Sequence, residues 1–371
     1  MTCWVRSSRA FASENETDPF RMKPYPVLKA IVICAASGAL FSALRAPLPW
    51  MIGPLLAMAL GKFLGAEVAA PREGRAVGQL VIACALGLYF TPAIAGEVAA
   101  HWYLLVAAAM LAILLAYGSG WFLMRSAGLD ATTALFASVP GGAAEMTILG
   151  ERHGARSDRV VLAQALRVFI VVLIVPFVFT GLGLHGADAY RPAQFAVDVL
   201  GLVALLGMAA LVGGTLAKLG MPNAWMLGPL GVTVALTLGE VSLSAIPTWL
   251  SNTAQLLIGC SLASAFERES LRTSPRFIGM VCLSVALAML GSALCAWGLA
   301  VLGSVPVSTM VLATAPGGMA EMCVTAKVLQ LGVPLVTAAH VTRVIILVTT
   351  TAPMFRLAKH LRRSWRTQTN R

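Results

Sequence analysis

Residues 139–146 read VPGGAAEM, and residues 315–322, 176 positions later, read APGGMAEM. The match does not stand alone. Upstream, 49–55 (PWMIGPL) returns as 224–230 (AWMLGPL), and 79–90 (QLVIACALGLYF) returns as 255–266 (QLLIGCSLASAF). Downstream, Gln164-Ala-Leu-Arg167 is matched by His340-Val-Thr-Arg343. Four matches in one order at an offset of 175–176 make the chain a duplication of one unit.

The surroundings of the motif fix the solvent. Hydrophobic residues make up 58% of the 371 and charged residues 12%, about half the charge of a soluble domain. The mean hydropathy is +0.82. So much apolar surface cannot be hidden in one aqueous core. The apolar runs do not alternate as barrel strands do, so the spans are helical. The expected fold is an all-α polytopic membrane protein, with the lipid bilayer as its first partner.

At about 20 residues per crossing, the spans fall near 27–44, 48–65, 76–95, 101–125 and 160–182. Those of the second half fall near 195–219, 224–240, 252–266, 277–302 and 335–355. Each half holds one interrupted apolar piece before its last span, near 131–150 and 308–326, and the Pro-Gly-Gly motifs lie inside them. The units are a tail at 1–26, membrane repeats at 27–182 and 195–357, and a basic tail at 358–371. The first 26 residues mix charge, Ser and Pro without the apolar core of a signal peptide. They read as a disordered cytosolic tail, or as an extension ahead of a start at Met22.

Loop charge orients the chain. If the interrupted pieces do not cross, one side collects both tails, Lys62/Arg72/Arg75, Arg125, Arg152/Arg156/Arg159, Lys218 and Arg268/Arg272/Arg276. On the other side, the loops 91–101, 183–194, 241–251 and 303–308 hold Arg191 as their single Lys or Arg. The positive-inside rule then puts both termini in the cytoplasm of a bacterial inner membrane. Five crossings per half make the halves inverted relative to each other, the construction of many secondary transporters.

Pro has no amide hydrogen and Gly little helical preference, so Pro140-Gly141-Gly142 and Pro316-Gly317-Gly318 should break helices. A break at membrane depth frees amide hydrogens at a new helix N-terminus, where the dipole favours an anion. Glu145 and Glu321 follow one turn on. Each is either a helix cap or an acid that handles a proton or cation. Arg167 and Arg343, two turns into the last span of each half, must find carboxylates, carbonyls or an anionic ligand. Gln164 and His340 share their helical face. Gln164 cannot titrate, which makes His340 a hydrogen-bonded core residue before a relay. Trp50 and Trp225, in the W-x-x-G-P segments, are interface anchors and packing residues that could also line the site.

The cysteines (3, 34, 84, 260, 282, 295 and 323) contain no CxxC pair and read as small buried hydrophobes. No metal site and no cofactor is implied. The net charge of +11 sits largely in tails and short loops, as topology requires, so no direct nucleic-acid partner is expected.

With the duplicated P-G-G-x-A-E-M, the W-x-x-G-P segments and this length, the chain resembles the AbrB-type duplicated membrane protein family across Val27 to Leu357. The family is distantly similar to the bile-acid symporter and cation/proton antiporter group. That resemblance implies inverted halves with discontinuous helices at the midplane. Labels attached to the family name an ammonia monooxygenase and a regulator of gene expression. Five scattered histidines supply no clustered metal ligands for the first. The tails are too short for a DNA-binding module for the second. The small DNA-binding proteins that share the AbrB name are unrelated. The leading expectation is a secondary transporter or exchanger of a small solute or ion, an organic anion favoured by paired arginines and helix N-termini, with proton or cation coupling open. The alternatives are a membrane protein that regulates gene expression indirectly and a membrane enzyme, the latter not expected. A homodimer is compatible with all three.

Overall fold

The computed structural model describes residues 24–184, 186, 196–241, 243–264, 266 and 275–349. Among them every regular element is a helix. The first half gives α1 (Pro24–Ala43), α2 (Pro49–Leu64), α3 (Gly74–Gly87), α4 (Pro92–Ala100), α5 (Trp102–Ser126), α6 (Ala131–Ser138), α7 (Ala143–Arg152) and α8 (Ser157–Gly181). The second gives α9 (Val199–Lys218), α10 (Ala224–Leu238), α11 (Thr248–Ala263), α12 (Pro275–Gly303), α13 (Val307–Thr314), α14 (Met319–Leu329) and α15 (Val333–Thr349). Of the expected tails, residues 1–23 and 358–371 lie outside the described residues; residues 24–26 already belong to α1.

Five helices (α1, α5, α8, α9 and α12) are long and apolar enough to cross a membrane, which makes this a multi-pass membrane protein. Of the other expected spans, α2, α3, α10 and α11 are shorter, with 14–16 residues each, and α15 is described only as far as Thr349. The run 76–95 is not one rod: α3 stops at Gly87, and the chain bends 93° into α4, with Pro92 at the new helix start. At about 1.5 Å per residue, the 14 residues of α3 cover only about 21 Å. From Gly78 to Gly87 its residues are buried in protein, so α3 has no lipid thickness to match.

The helices sort into two bundles. In one, α1 packs on α2 and α9 on α10, while α3 lies against α10 and α11, and α2 against α11. The W-x-x-G-P segments make the first two contacts. A Cβ on Gly53 would stand 2.8 Å from the Ser37 carbonyl oxygen, and one on Gly228 would stand 2.8 Å from Gly213. Trp50 lies over Gly38 and Trp225 over Gly213. Both tryptophans seal helix pairs and neither lines the central cavity, which corrects the expectation that they could.

In the other bundle α5 pairs with α12, and the broken helices pack against them. Asp130 starts α6, its Oδ2 accepting from Thr133 N at 2.9 Å. Thr133 Oγ1 in turn accepts from Arg156 N, at the start of α8, at 2.9 Å. Thus α6 begins beside the start of α8, runs to a tip at Pro140, and α7 returns to Arg156. Phe136 and His153 meet between the two arms, ring centroids 5.9 Å apart. Each arm is too short to cross, and the piece re-enters the end it left. The second half repeats this: Thr309 of α13 lies against Gly332, just before α15, and α14 returns to that point. Gly186, just beyond α8, donates its N–H to the Leu329 carbonyl at the end of α14 (3.2 Å). The exits of α7 and α14 therefore lie at opposite ends of α8.

Candidate functional site: a cavity between two hairpin tips

A helix that stops at membrane depth leaves its last carbonyls without partners and its negative dipole end exposed. Side chains from the following span answer both. In the first half Gln164 Nε2 donates to the Phe136 and Val139 carbonyls at 2.7 and 2.8 Å. Arg167 Nη1 donates to the Ser138 carbonyl at 2.8 Å, and its Nη2 to Gln164 Oε1 at 2.7 Å. In the second half His340 Nε2 meets the Leu312 carbonyl at 3.0 Å; a carbonyl only accepts, so Nε2 carries the hydrogen. Arg343 donates from Nη1 to Ala315 O and from Nη2 to Gly317 O, at 3.0 and 2.9 Å. Gln164 and His340, unlike as chemicals, hold equivalent carbonyls.

This decides between the partners left open by the sequence. Of carboxylates, carbonyls or an anionic ligand, both arginines take helix-end carbonyls, and the Nε of each has no partner among the described residues. Glu321 finds its cation elsewhere. Its Oε1 accepts from Nη2 of Arg75 on α3, in the other bundle, at 3.2 Å. Glu321 is fully buried and its Oε2 has no hydrogen-bond partner among the described residues, so it is not tied down as a helix cap. Glu145 stands at the equivalent place in α7; its side chain is outside the described residues.

The spelling of the motif follows from this packing. A Cβ at Gly318 would overlap the Glu321 carboxylate, which folds back over that residue. A Cβ at Gly141 or Gly317 would stand 2.5–2.7 Å from the side chain of Met146 or Met322. The first Gly makes room for the Met; in the second half the next Gly makes room for the Glu.

Both tips open on one cavity of about 80 Å³, room for several waters or a small solute. Pro140, Gly141, Gly142, Gln164, Arg167, Gly317, Gly318, Glu321 and Arg343 line it. Pro316 lies on a smaller adjoining cavity of about 30 Å³, and His340 is buried behind the tip. The opposite wall comes from the other bundle: Arg75 and Gln79 of α3, Asn223, and Ser261 of α11. Among the described lining residues, three arginines face one glutamate. The N-termini of α7 and α14 add their partial positive charge. The arrangement suits a small anion, held by amide hydrogens and guanidinium groups at a place where water is scarce.

Arg75, Gln79, Asn223 and Ser261 were not singled out in the sequence. Gln79 carried a signal, since it heads a duplicated segment with Gln255. Arg75 carried a misleading one, having the look of a loop charge beside Arg72. Among the described residues no group of three His, Cys, Asp or Glu is placed to hold a metal ion, and Cys34, Cys84, Cys260, Cys282, Cys295 and Cys323 are unpaired.

Comparison with known proteins agrees with the resemblance read from the motifs. Residues 50–359 match the family described as "Transition state regulatory protein AbrB". The chain is 27% identical over 306 residues to a protein of Escherichia coli (strain K12) named "Putative regulator AbrB", covering 81% of this chain and 88% of that one. It is 29% identical over 355 residues to "Uncharacterized protein YhjN" of Bacillus subtilis (strain 168), covering 89% and 92%.

Proposed function

The chain belongs to the AbrB family, and we propose that it is a secondary transporter or exchanger of a small solute, an organic anion before a cation. One observation carries this reading. Two helix breaks with their N-termini, and three arginines, converge on one cavity between two helix bundles. A purely structural protein gains nothing from broken helices at that depth, whereas transporters place such breaks around their substrate. Glu321, and Glu145 by its matching position, are the acids through which a proton or cation would be coupled. The halves would be inverted about an axis in the membrane plane, which accounts for α7 and α14 leaving the centre in opposite directions. No enzymatic step is proposed.

The test is thermal unfolding of the purified protein with a panel of small mono- and dicarboxylates, inorganic phosphate and amines. A site ligand at about one hundred times its Kd stabilises the folded state by roughly 2.7 kcal/mol. At least one anion should raise the unfolding midpoint in the wild type and fail to do so in Arg75→Ala. A shift produced only by amines would reverse the charge assignment.

The proposed topology has both termini in the cytoplasm of the inner membrane and α4 on the outer side. A cysteine placed at Gly96, where a side chain meets nothing within 4 Å, should react with an impermeant thiol reagent added outside intact cells. One placed at Arg156 should react only after permeabilisation. Labelling of position 156 from outside would invert the account.

A further inference from the structure

The equivalent helices α7 and α14 carry the same A-E-M start yet sit in different surroundings. Val324 of α14 is 1% exposed, whereas Ile148, its equivalent in α7, is 53% exposed. Met322 and Cys323 are fully buried, whereas Met146 and Thr147 are only half-buried. The cause is visible in the packing. The hairpin of the second half docks on the neighbouring bundle through α14 against α3. No packing of comparable extent joins α7 to α11 among the described residues.

Two side-chain links hold the docked side, and both use residues that the duplication did not keep. At the tip, Glu321 bonds Arg75; the position equivalent to Arg75 is Ser251. At the far end, Lys327 Nζ donates to Oγ of that Ser251 at 3.3 Å; the position equivalent to Lys327 is Glu151. So α14 is fastened at both ends to the other bundle. At the matching end of α7, Glu151 is exposed and its Oε1 accepts from Ser157 of its own half at 3.4 Å.

We infer that this structure is one of two end states: closed at the α14 end, open at the α7 end, and latched by Arg75–Glu321 and Lys327–Ser251. Since α7 and α14 exit at opposite ends of α8, undocking α14 and docking α7 on α11 would close one side and open the other. In that second state Ile148 is buried as Val324 is here. An anion in the cavity competes with Glu321 for Arg75, so occupancy loosens the tip latch and leaves Lys327–Ser251 to be broken by the motion. The inference rests on the transporter reading for its purpose, but the asymmetry and the latch stand or fall without any substrate.

Hydrogen–deuterium exchange on the full-length protein in lipid nanodiscs, with no ligand added, tests it. Wild type should exchange amides of 146–152 at least about tenfold faster than those of 322–328. Such a difference corresponds to about 1.4 kcal/mol in opening free energy. Lys327→Ala, which leaves the central cavity untouched, should narrow the difference, and Lys327→Ala with Arg75→Ala should abolish or reverse it. Exchange in α1 and α9 serves as the control and should not change, so a rise there marks misfolding; Lys327→Met, which keeps the bulk and removes the donor, then decides in its place. Equal protection of α7 and α14 in wild type would overturn the two-state assignment, because an α7 face covered by lipid would be protected as α14 is. An asymmetry unmoved by the double substitution, or by Lys327→Met where that variant decides, would overturn the latch. Failure of all anions to bind would count against the transporter reading and leave this result standing.

Discussion

Arg343→Met is expected to destabilise the protein by roughly 2–4 kcal/mol. The substitution leaves the Ala315 and Gly317 carbonyls without donors at the buried end of α13. Each orphaned buried acceptor costs about 1–3 kcal/mol, offset in part by no longer burying a guanidinium group. Arg167→Met should cost a similar amount. It strands the Ser138 carbonyl and Gln164 Oε1, both buried, while Gln164 still holds Phe136 and Val139. His340 holds the Leu312 carbonyl alone and cannot take over for Arg343. Thermal unfolding in one detergent or lipid should place both variants well below wild type. Equal and small losses would mean that water satisfies these helix ends and that the arginines serve only the ligand.

Glu321→Gln is expected to lower transport by at least about tenfold, near 1.4 kcal/mol, with little change in unfolding temperature. The same volume is kept, and only the charge facing Arg75 is lost. Arg75→Gln should be nearly as damaging, and the double variant less so than the two losses combined. Removing one member strands the other; removing both does not. Arg75 is 39% exposed, so screening limits the coupling seen in stability, and transport is the more sensitive reading. The parallel cycle of Glu321→Gln with Arg343→Gln should show weaker coupling, because Arg343 is bonded to carbonyls and meets Glu321 only across the cavity. Gly318→Ala is the geometric counterpart: it keeps every charge and displaces the carboxylate that lies over that residue. Strong coupling between Glu321 and Arg343, with none between Glu321 and Arg75, would refute the site as drawn.

Much of this was legible in the chain because local chemistry and duplication carried it. Pro-Gly-Gly cannot continue a helix in any environment, so both breaks could be read at their residues. The three-residue spacing of Gln164 and Arg167, and of His340 and Arg343, placed each pair on one helix face. That the arginines would choose carbonyls over carboxylates was among the options but not decided, since the choice depends on how close the half-helix ends come. What escaped was contact between distant segments. Arg75 and Glu321 are 246 positions apart, and nothing in the local pattern distinguishes a first-turn arginine aimed into a cavity from a loop charge. The bend after Gly87 escaped for a related reason. Hydropathy runs through residues 76–95 unbroken, and only the interior position of α3 relieves it of spanning the bilayer. The tryptophans of W-x-x-G-P misled in the opposite direction, their repetition reflecting two equivalent helix contacts.

The central claim is that a small anion crosses the membrane through the cavity between the two hairpin tips. Counterflow in proteoliposomes tests it most directly: vesicles loaded with one unlabelled carboxylate or phosphate, the same labelled solute outside, and a matching panel of amines. The account predicts saturable accumulation of at least one anion by wild-type protein, and its loss in Gly318→Ala and Glu321→Gln protein that unfolds at the wild-type temperature. Flux no greater than in empty vesicles for every anion, from protein shown to be folded and inserted, would contradict it.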